Sequence, residues 1–105
     1  MSIDDRVTDH EAKFAHDEEL RFRVEARRNK LLGLWAASKL GKAGAEADAY
    51  AAEVVQEDLG AGGSEDVFAK IRRDFDAAGV TQSDHQIRRH MDECLAEAQA
   101  QVMAS

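Results

Sequence analysis

The chain has 105 residues, enough for one domain, and its 6% aromatic content leaves a modest core to Leu, Val, Ile and Ala. A formal net charge of −7 excludes broad nucleic-acid binding, which needs a basic surface facing the phosphates. The single cysteine, Cys94, excludes an internal disulfide and fits a reducing compartment, and no apolar run approaches the roughly 18 residues of a membrane span.

Proline is absent, while Ala, Glu, Arg, Lys and Gln are plentiful. These are good helix formers, so the fold expected is all-α: a small antiparallel four-helix bundle with a mobile N-terminal arm. Residues 1–10, MSIDDRVTDH, lack periodicity and apolar content, and they lack the apolar run of a secretory signal. Between residues 11 and 18 the only large apolar side chain is Phe14. A helix end without tertiary support is marginal, so residues 1–18 are expected to be disordered or transiently helical, and the bundle to occupy 19–105.

The first bundle helix is expected over about 19–40, with its pattern beginning near Glu11. At about 100° per residue, Leu20, Val24, Leu31, Leu34 and Trp35 share an arc of about 100°. Phe14, Phe22 and Leu32 fall well away from it. Gly33 interrupts the helix at a cost of about 1 kcal/mol against Ala. Close packing against an aromatic or a neighbouring helix explains it, with a hinge as the alternative. Gly41 stands where a C-cap glycine belongs, and Lys39 and Lys42 suit the negative end of the dipole.

The second helix is expected over 44–59, with Ala47, Tyr50, Ala51 and Val54 on one face, widened by Val55 and Leu59. Gly60-Ala61-Gly62-Gly63 ends it. The third is expected over 64–78, with Ser64 as N-cap, Glu65 and Asp66 in the first turn, and Val67, Phe68, Ile71, Phe75 and Ala78 as its stripe. Gly79 terminates it. The fourth is expected over 82–103: Ser83 and Gln86 fit a capping box, and Ile87, Met91, Cys94, Leu95, Ala98 and Val102 recur at helical spacing. Short links favour antiparallel neighbours.

Charge is distributed in blocks. Residues 1–20 carry seven acids and two bases, residues 21–42 seven bases and one acid, and residues 43–66 seven acids and no base. Either the basic helix lies beside the acidic one, or the basic block is exposed and docks on carboxylates or phosphates. Arg23, Arg27, Arg28 and Lys30, with Arg21, form the candidate strip for an anion or nucleotide, because Arg binds either group bidentately. Phe14 and Phe22, off the bundle stripe near one helix end, have the character of interface anchors, or else pack across a bend or onto the C-terminal helix.

No nucleophile elbow, P-loop, dinucleotide fingerprint or HExxH is present, and GAGG lacks the ending a P-loop requires. Acid pairs such as Glu18-Glu19 are adjacent and point apart on a helix. No enzyme and no cofactor is therefore read. His90 and Cys94, four residues apart, make half a metal site, but a structural zinc needs about four ligands. No metal is assigned, and Cys94 reads as a buried inert thiol. His10 and His16 lie in the charged arm, where each titrates near neutrality.

KFAHDEELRFRVEARRNKLLGLWAA at 13–37, EDV at 65–67 and HQIRRHMDECLAEA at 85–98 carry a resemblance that spans most of the chain. The sequence resembles the zeta subunit, the ATPase-inhibitor family of alphaproteobacterial F-type ATP synthases. The resemblance implies a four-helix bundle whose N-terminal arm becomes helical and wedges into a catalytic α/β interface of the synthase, against the central stalk. Hydrolysis is then blocked and synthesis left largely free. It implies partner contacts from His10, Phe14, His16, Asp17, Glu18, Glu19, Arg21 and Phe22, with Leu31, Leu34 and Trp35 anchoring the arm's base. It also implies a regulatory subunit that is cytoplasmic, peripheral to the inner membrane through the synthase, not inserted in the bilayer, and monomeric when free. Inhibitory members often carry Ala-Phe before the Glu that corresponds to Glu11, where this chain has Asp9-His10. That departure points to the alternative of a weakly inhibitory or non-inhibitory module of the same complex. A nucleotide-sensing bundle using Arg21 to Lys30 is the third reading.

Overall fold

Hydrogen-bonded caps punctuate a chain otherwise built to stay helical. In the computed structural model four helices follow in order: α1 (Ile3–Lys39), α2 (Ala45–Glu57), α3 (Ser64–Ala78) and α4 (Asp84–Ala104). The structure describes the backbone of residues 3–58 and 62–104 and the side chains of 18–58 and 62–104. Gly41 and Gly79 adopt φ of 78° and 72°. Each ends its helix in a reversed turn: Lys42 N–H donates to the Ala37 carbonyl and Val80 N–H to that of Phe75, both at 2.9 Å. The capping box of α4 forms in full. Gln86 N–H donates to Ser83 Oγ at 3.1 Å and Ser83 N–H to Gln86 Oε1 at 2.8 Å.

Two helix ends differ from expectation. Ser64 is the first residue of α3 and not its N-cap; Gly63 takes that place, with no side-chain cap. Asp66 reaches back instead, and its Oδ2 accepts the Gly62 N–H at 3.0 Å. A carboxylate in the first turn, already favoured by the dipole, thus braces the loop that enters α3, while the Glu65 and Asp66 N–H groups donate to the Gly62 and Gly63 carbonyls. The second helix ends at Glu57 with Asp58 as C-cap. Leu59, expected to widen its apolar face, lies outside the described residues.

Neighbours run antiparallel. Asn29 of α1 meets Asp58 at the end of α2, while Gly33 faces Ala51 and Val54 earlier in α2. Tyr50 and Glu53 of α2 meet Asp74 and Lys70 of α3 in reverse order. Between α1 and α4, Trp35 pairs with His90 and Arg27 with Gln101. The core is Leu32, Ala36, Ala37, Tyr50, Val54, Val67, Ile71, Phe75, Ile87 and Met91. Trp35 sits edge-on to Phe75, ring centroids 5.6 Å apart, and stacks on His90 at 4.1 Å. His90 is thereby a packing residue. Burial, followed by the Glu93 charge, pushes the Cys94 thiol up, which keeps it protonated and inert.

Leu32 corrects the sequence reading. It is fully buried, whereas Leu20, Val24, Leu31, Leu34 and Trp35 are only half-buried. α1 is packed by α2 on one side and α4 on another, so its buried arc is broad and follows 28/29, 32/33 and 36/37. A single stripe, sufficient for a helix with one neighbour, misplaces that arc. Ala78, expected on the α3 stripe, is exposed because it lies in the last turn before Gly79.

Gly33 is a packing glycine. A Cβ there would stand 2.6 Å from Ala51 Cα and 3.1 Å from its Cβ. The two helices approach closely because neither carries a large side chain at the crossing.

Tyr50, 4% exposed, donates its hydroxyl to Asp74 Oδ2 at 2.8 Å, and Lys70 Nζ lies 3.1 Å from the same oxygen. Burial, then the Asp74 bond, pushes the phenol well above its ordinary value of 10.0. A raised folded-state pKa contributes stability that is complete below the unfolded value and lost as pH climbs toward the folded one. The wild-type melting temperature is therefore expected to fall faster than that of Tyr50→Phe above about pH 10. Parallel thermal melts from neutral to alkaline pH check this; coincident curves would refute it.

Candidate interaction site

The segment ELRFRVEARRNK, residues 19–30, has neither Gly nor Pro and is rich in strong helix formers, so its propensity favours the geometry of α1. Its faces differ sharply. Glu18, Glu19, Arg21, Phe22 and Arg23 are exposed, and none of residues 18–27 is buried. Phe22 is 66% exposed; with Met103 at 71%, these are the large exposed hydrophobics of the described residues. The Phe22 ring stands over a small notch lined by Glu25, Ala26 and Asn29 of α1 and by Val55 and Asp58 of α2. An aromatic so exposed, flanked by charges of both signs, has the make-up common among interface anchors.

The basic residues separate. Arg23, Arg27 and Lys30 line an open groove with Val55 and Val102, between α2 and α4. Arg27 Nη1 donates to Gln101 Oε1 at 3.1 Å, which ties α1 to the end of α4. Arg28 does not belong with them. It is 7% exposed and turned inward, so it is no docking residue for an anion or a nucleotide. Its Nε donates to Asn29 Oδ1 at 3.0 Å, and Asn29 Nδ2 donates to Asp58 Oδ2 at 2.8 Å. Arg28 Nη2 lies 4.0 Å from that same carboxylate oxygen. The reason is position: at 28 and 29 α1 enters the bundle, and the helix leaves no outward route for that side chain. Arg28 and Asp58 also form an ion pair between the basic and acidic blocks, whereas Glu53 of α2 turns to Lys70 of α3.

Sequence reasoning missed Asn29 and Asp58. One signal was available: Asn is a poor residue for a helix interior unless its amide finds a partner. The partner lies 29 positions away and could not be read from the pattern. Of the other residues expected at the site, His10, Phe14, His16 and Asp17 have side chains outside the described ones.

A model of the ATPase inhibitor subunit zeta family matches residues 1–101, which takes in both the bundle and everything N-terminal to it. The chain belongs to the ATPase inhibitor subunit zeta family. The chain is also similar to a solved structure. A chain with a solution NMR structure is 46% identical, with a TM-score of 0.72, covering 81% of this chain and 96% of that one. No curated protein matches the sequence. The family is one of regulatory subunits, named for inhibition of an ATPase. Among the described residues no helix is long and apolar enough to cross a membrane.

Proposed function

We propose that this zeta-family chain binds the catalytic sector of an F-type ATP synthase and inhibits ATP hydrolysis through its N-terminal segment. In this reading residues 1–18 form the inhibitory arm and enter a catalytic α/β interface against the central stalk. Phe22 and the charges around it seat the base of the arm, and the bundle stays outside as the anchor. The reading assigns partner contacts to His10, Phe14, His16, Asp17, Glu18, Glu19, Arg21 and Phe22.

One observation supports this reading above the rest. α1 has 37 residues, while its longest neighbour, α4, has 21. At about 1.5 Å per residue the difference is roughly 24 Å of helix that no other helix of the chain is long enough to flank. The stretch that leads into it exposes Phe22 and buries nothing. A wedge that blocks rotation in the hydrolytic direction alone would leave synthesis running.

The test is a titration of the soluble catalytic sector of the matching synthase with the full-length chain and with a chain lacking residues 1–18. Full-length protein is expected to suppress ATPase activity. The truncated protein is expected to lose the inhibition and keep the bundle's melting transition. Complete inhibition by the truncated chain would overturn the arm mechanism. A second reading, a module that binds yet inhibits weakly, rests on Asp9-His10 standing where inhibitory members often carry Ala-Phe. Saturable binding with little loss of ATPase activity would select it.

Phe22→Ala separates seat from scaffold. The ring is 66% exposed, so the melting temperature should not move. Losing about 2 kcal/mol of interfacial burial should raise the half-inhibitory concentration roughly tenfold or more. An unchanged titration curve would remove Phe22 from the interface.

A further inference from the structure

We propose that Asp58 is a positioning residue: with Arg28 and Asn29 it forms a polar clasp that fixes the direction in which α1 leaves the bundle, and so aims the arm. The proposal rests on the inhibitory reading above. The buried polar side chains of the described residues are Arg28 and Asn29, and they stand together at one level of α1. On the C-terminal side of that level α1 buries Leu32, Ala36 and Ala37; on the N-terminal side none of residues 18–27 is buried. The clasp therefore sits where the fully buried side chains of α1 end, although Arg27 still reaches Gln101 of α4 one turn further out.

Stability does not require polar groups there. Burying a guanidinium and an amide is costly even when they are paired, and well-packed apolar side chains of similar size hold helices together at least as well. What a hydrogen-bonded chain adds is direction. Arg28 Nε donates to Asn29 Oδ1, Asn29 Nδ2 donates to Asp58 Oδ2, and Arg28 Nη2 makes no hydrogen bond but stands 4.0 Å from that oxygen as an ion pair. Asp58 is itself referenced to two further elements. It is the C-cap of α2, its N–H bonded to the Gln56 carbonyl, and its Oδ1 lies 3.9 Å from where a Cβ on Gly63 would stand, at the entry to α3. One carboxylate thus relates α1 to the end of α2 and the start of α3.

From Arg28 back to Glu18, the base of the arm, the helix rises about 15 Å, so a tilt of about 10° at the clasp moves that base by roughly 2.6 Å. An interface that accepts a wedge tolerates little of that error, and a preorganised approach removes an orientational cost from binding.

The experiment titrates the soluble catalytic sector with the full-length chain and three variants, and follows amide hydrogen exchange in each free protein. Asp58→Asn is expected to raise the half-inhibitory concentration about tenfold and to speed exchange at residues 22–27, with residues 32–37 unchanged. Asp58→Glu, which keeps the charge opposite Arg28, is expected to recover most of the potency. The double variant Arg28→Met, Asp58→Leu should melt at or above the wild-type temperature yet still inhibit about tenfold more weakly, since packing replaces stability and not direction. Wild-type potency in the double variant overturns the proposal, and so does wild-type potency and exchange in Asp58→Asn. If Asp58→Asn unfolds, the double variant decides alone. If the wild-type chain does not inhibit, the inhibitory reading fails by itself. The clasp is then judged by exchange at residues 22–27 in Asp58→Asn, where no change refutes it.

Discussion

Phe75→Ala is expected to lower the stability of the bundle by about 3–5 kcal/mol, the usual range for emptying a buried phenylalanine site. Phe75 is fully buried and is the largest of the wholly enclosed side chains. Its ring takes the edge-on contact with Trp35 and so joins α3 to α1 across the middle of the bundle. With Val67 and Ile71 it makes up the buried face of α3, a helix of 15 residues. For a domain of this size each kcal/mol moves the melting temperature by about 4–8 °C, so a drop of more than about 12 °C is expected in a circular-dichroism melt. Trp35 fluorescence should shift as well, because the indole loses its neighbour. A drop of only a few degrees would mean that the site closes around the deletion and that α3 is held elsewhere.

Gly33→Val is expected to cost roughly 3 kcal/mol, the upper end of the range for overpacking. The obstacle is backbone: a Cβ at 33 would stand 2.6 Å from Ala51 Cα, and Val54 Cβ is 3.3 Å away. Relief requires the whole of α2 to move off α1, which also pulls Asp58 away from Asn29. Gly33→Ala meets the same Cα with two carbons fewer than valine and gains about 1 kcal/mol of helix propensity, so its net loss should be smaller. Chemical denaturation of the three proteins orders them Gly33, Ala, Val. A valine variant as stable as the wild type would show that the close approach of α1 and α2 is not required.

The other three predictions, the alkaline melt of Tyr50→Phe, the loss of inhibition without residues 1–18 and the weakened titration of Phe22→Ala, probe separate layers of the molecule. The first concerns the polar link between α2 and α3. The second and third concern the helix that outruns the bundle. Agreement in one does not imply agreement in another, because Tyr50 lies in the core and Phe22 on an exposed face.

Much of the fold was legible because its signals are local. The Ser83 and Gln86 box, the reversed turns at Gly41 and Gly79, and the stripe Val67, Ile71, Phe75 each depend on residues within about one or two helical turns. The exposure of Phe22 was legible for the same reason: it stands off the apolar arc of its own helix. Leu32 was misplaced because its burial depends on two neighbours gripping α1 at once, which no single-helix projection contains. Ser64 was misread because the helix begins at Ser64 itself, with Gly63 at the N-cap and Asp66 holding the Gly62 N–H. Arg28 was grouped with exposed bases because its charge is visible in the sequence and its enclosure is not.

By itself the sequence determined an all-helical chain with four helices, the ends of most of them, an exposed aromatic on a charged stretch and the family to which the chain belongs. Helix formation, capping and amphipathic spacing are short-range, so each is written in adjacent residues. Only the tertiary structure decided that Leu32 is core, that Gly33 admits α2, that Arg28 faces inward and that Asn29 finds Asp58. These depend on distances between residues far apart in the chain, set by how the helices pack together.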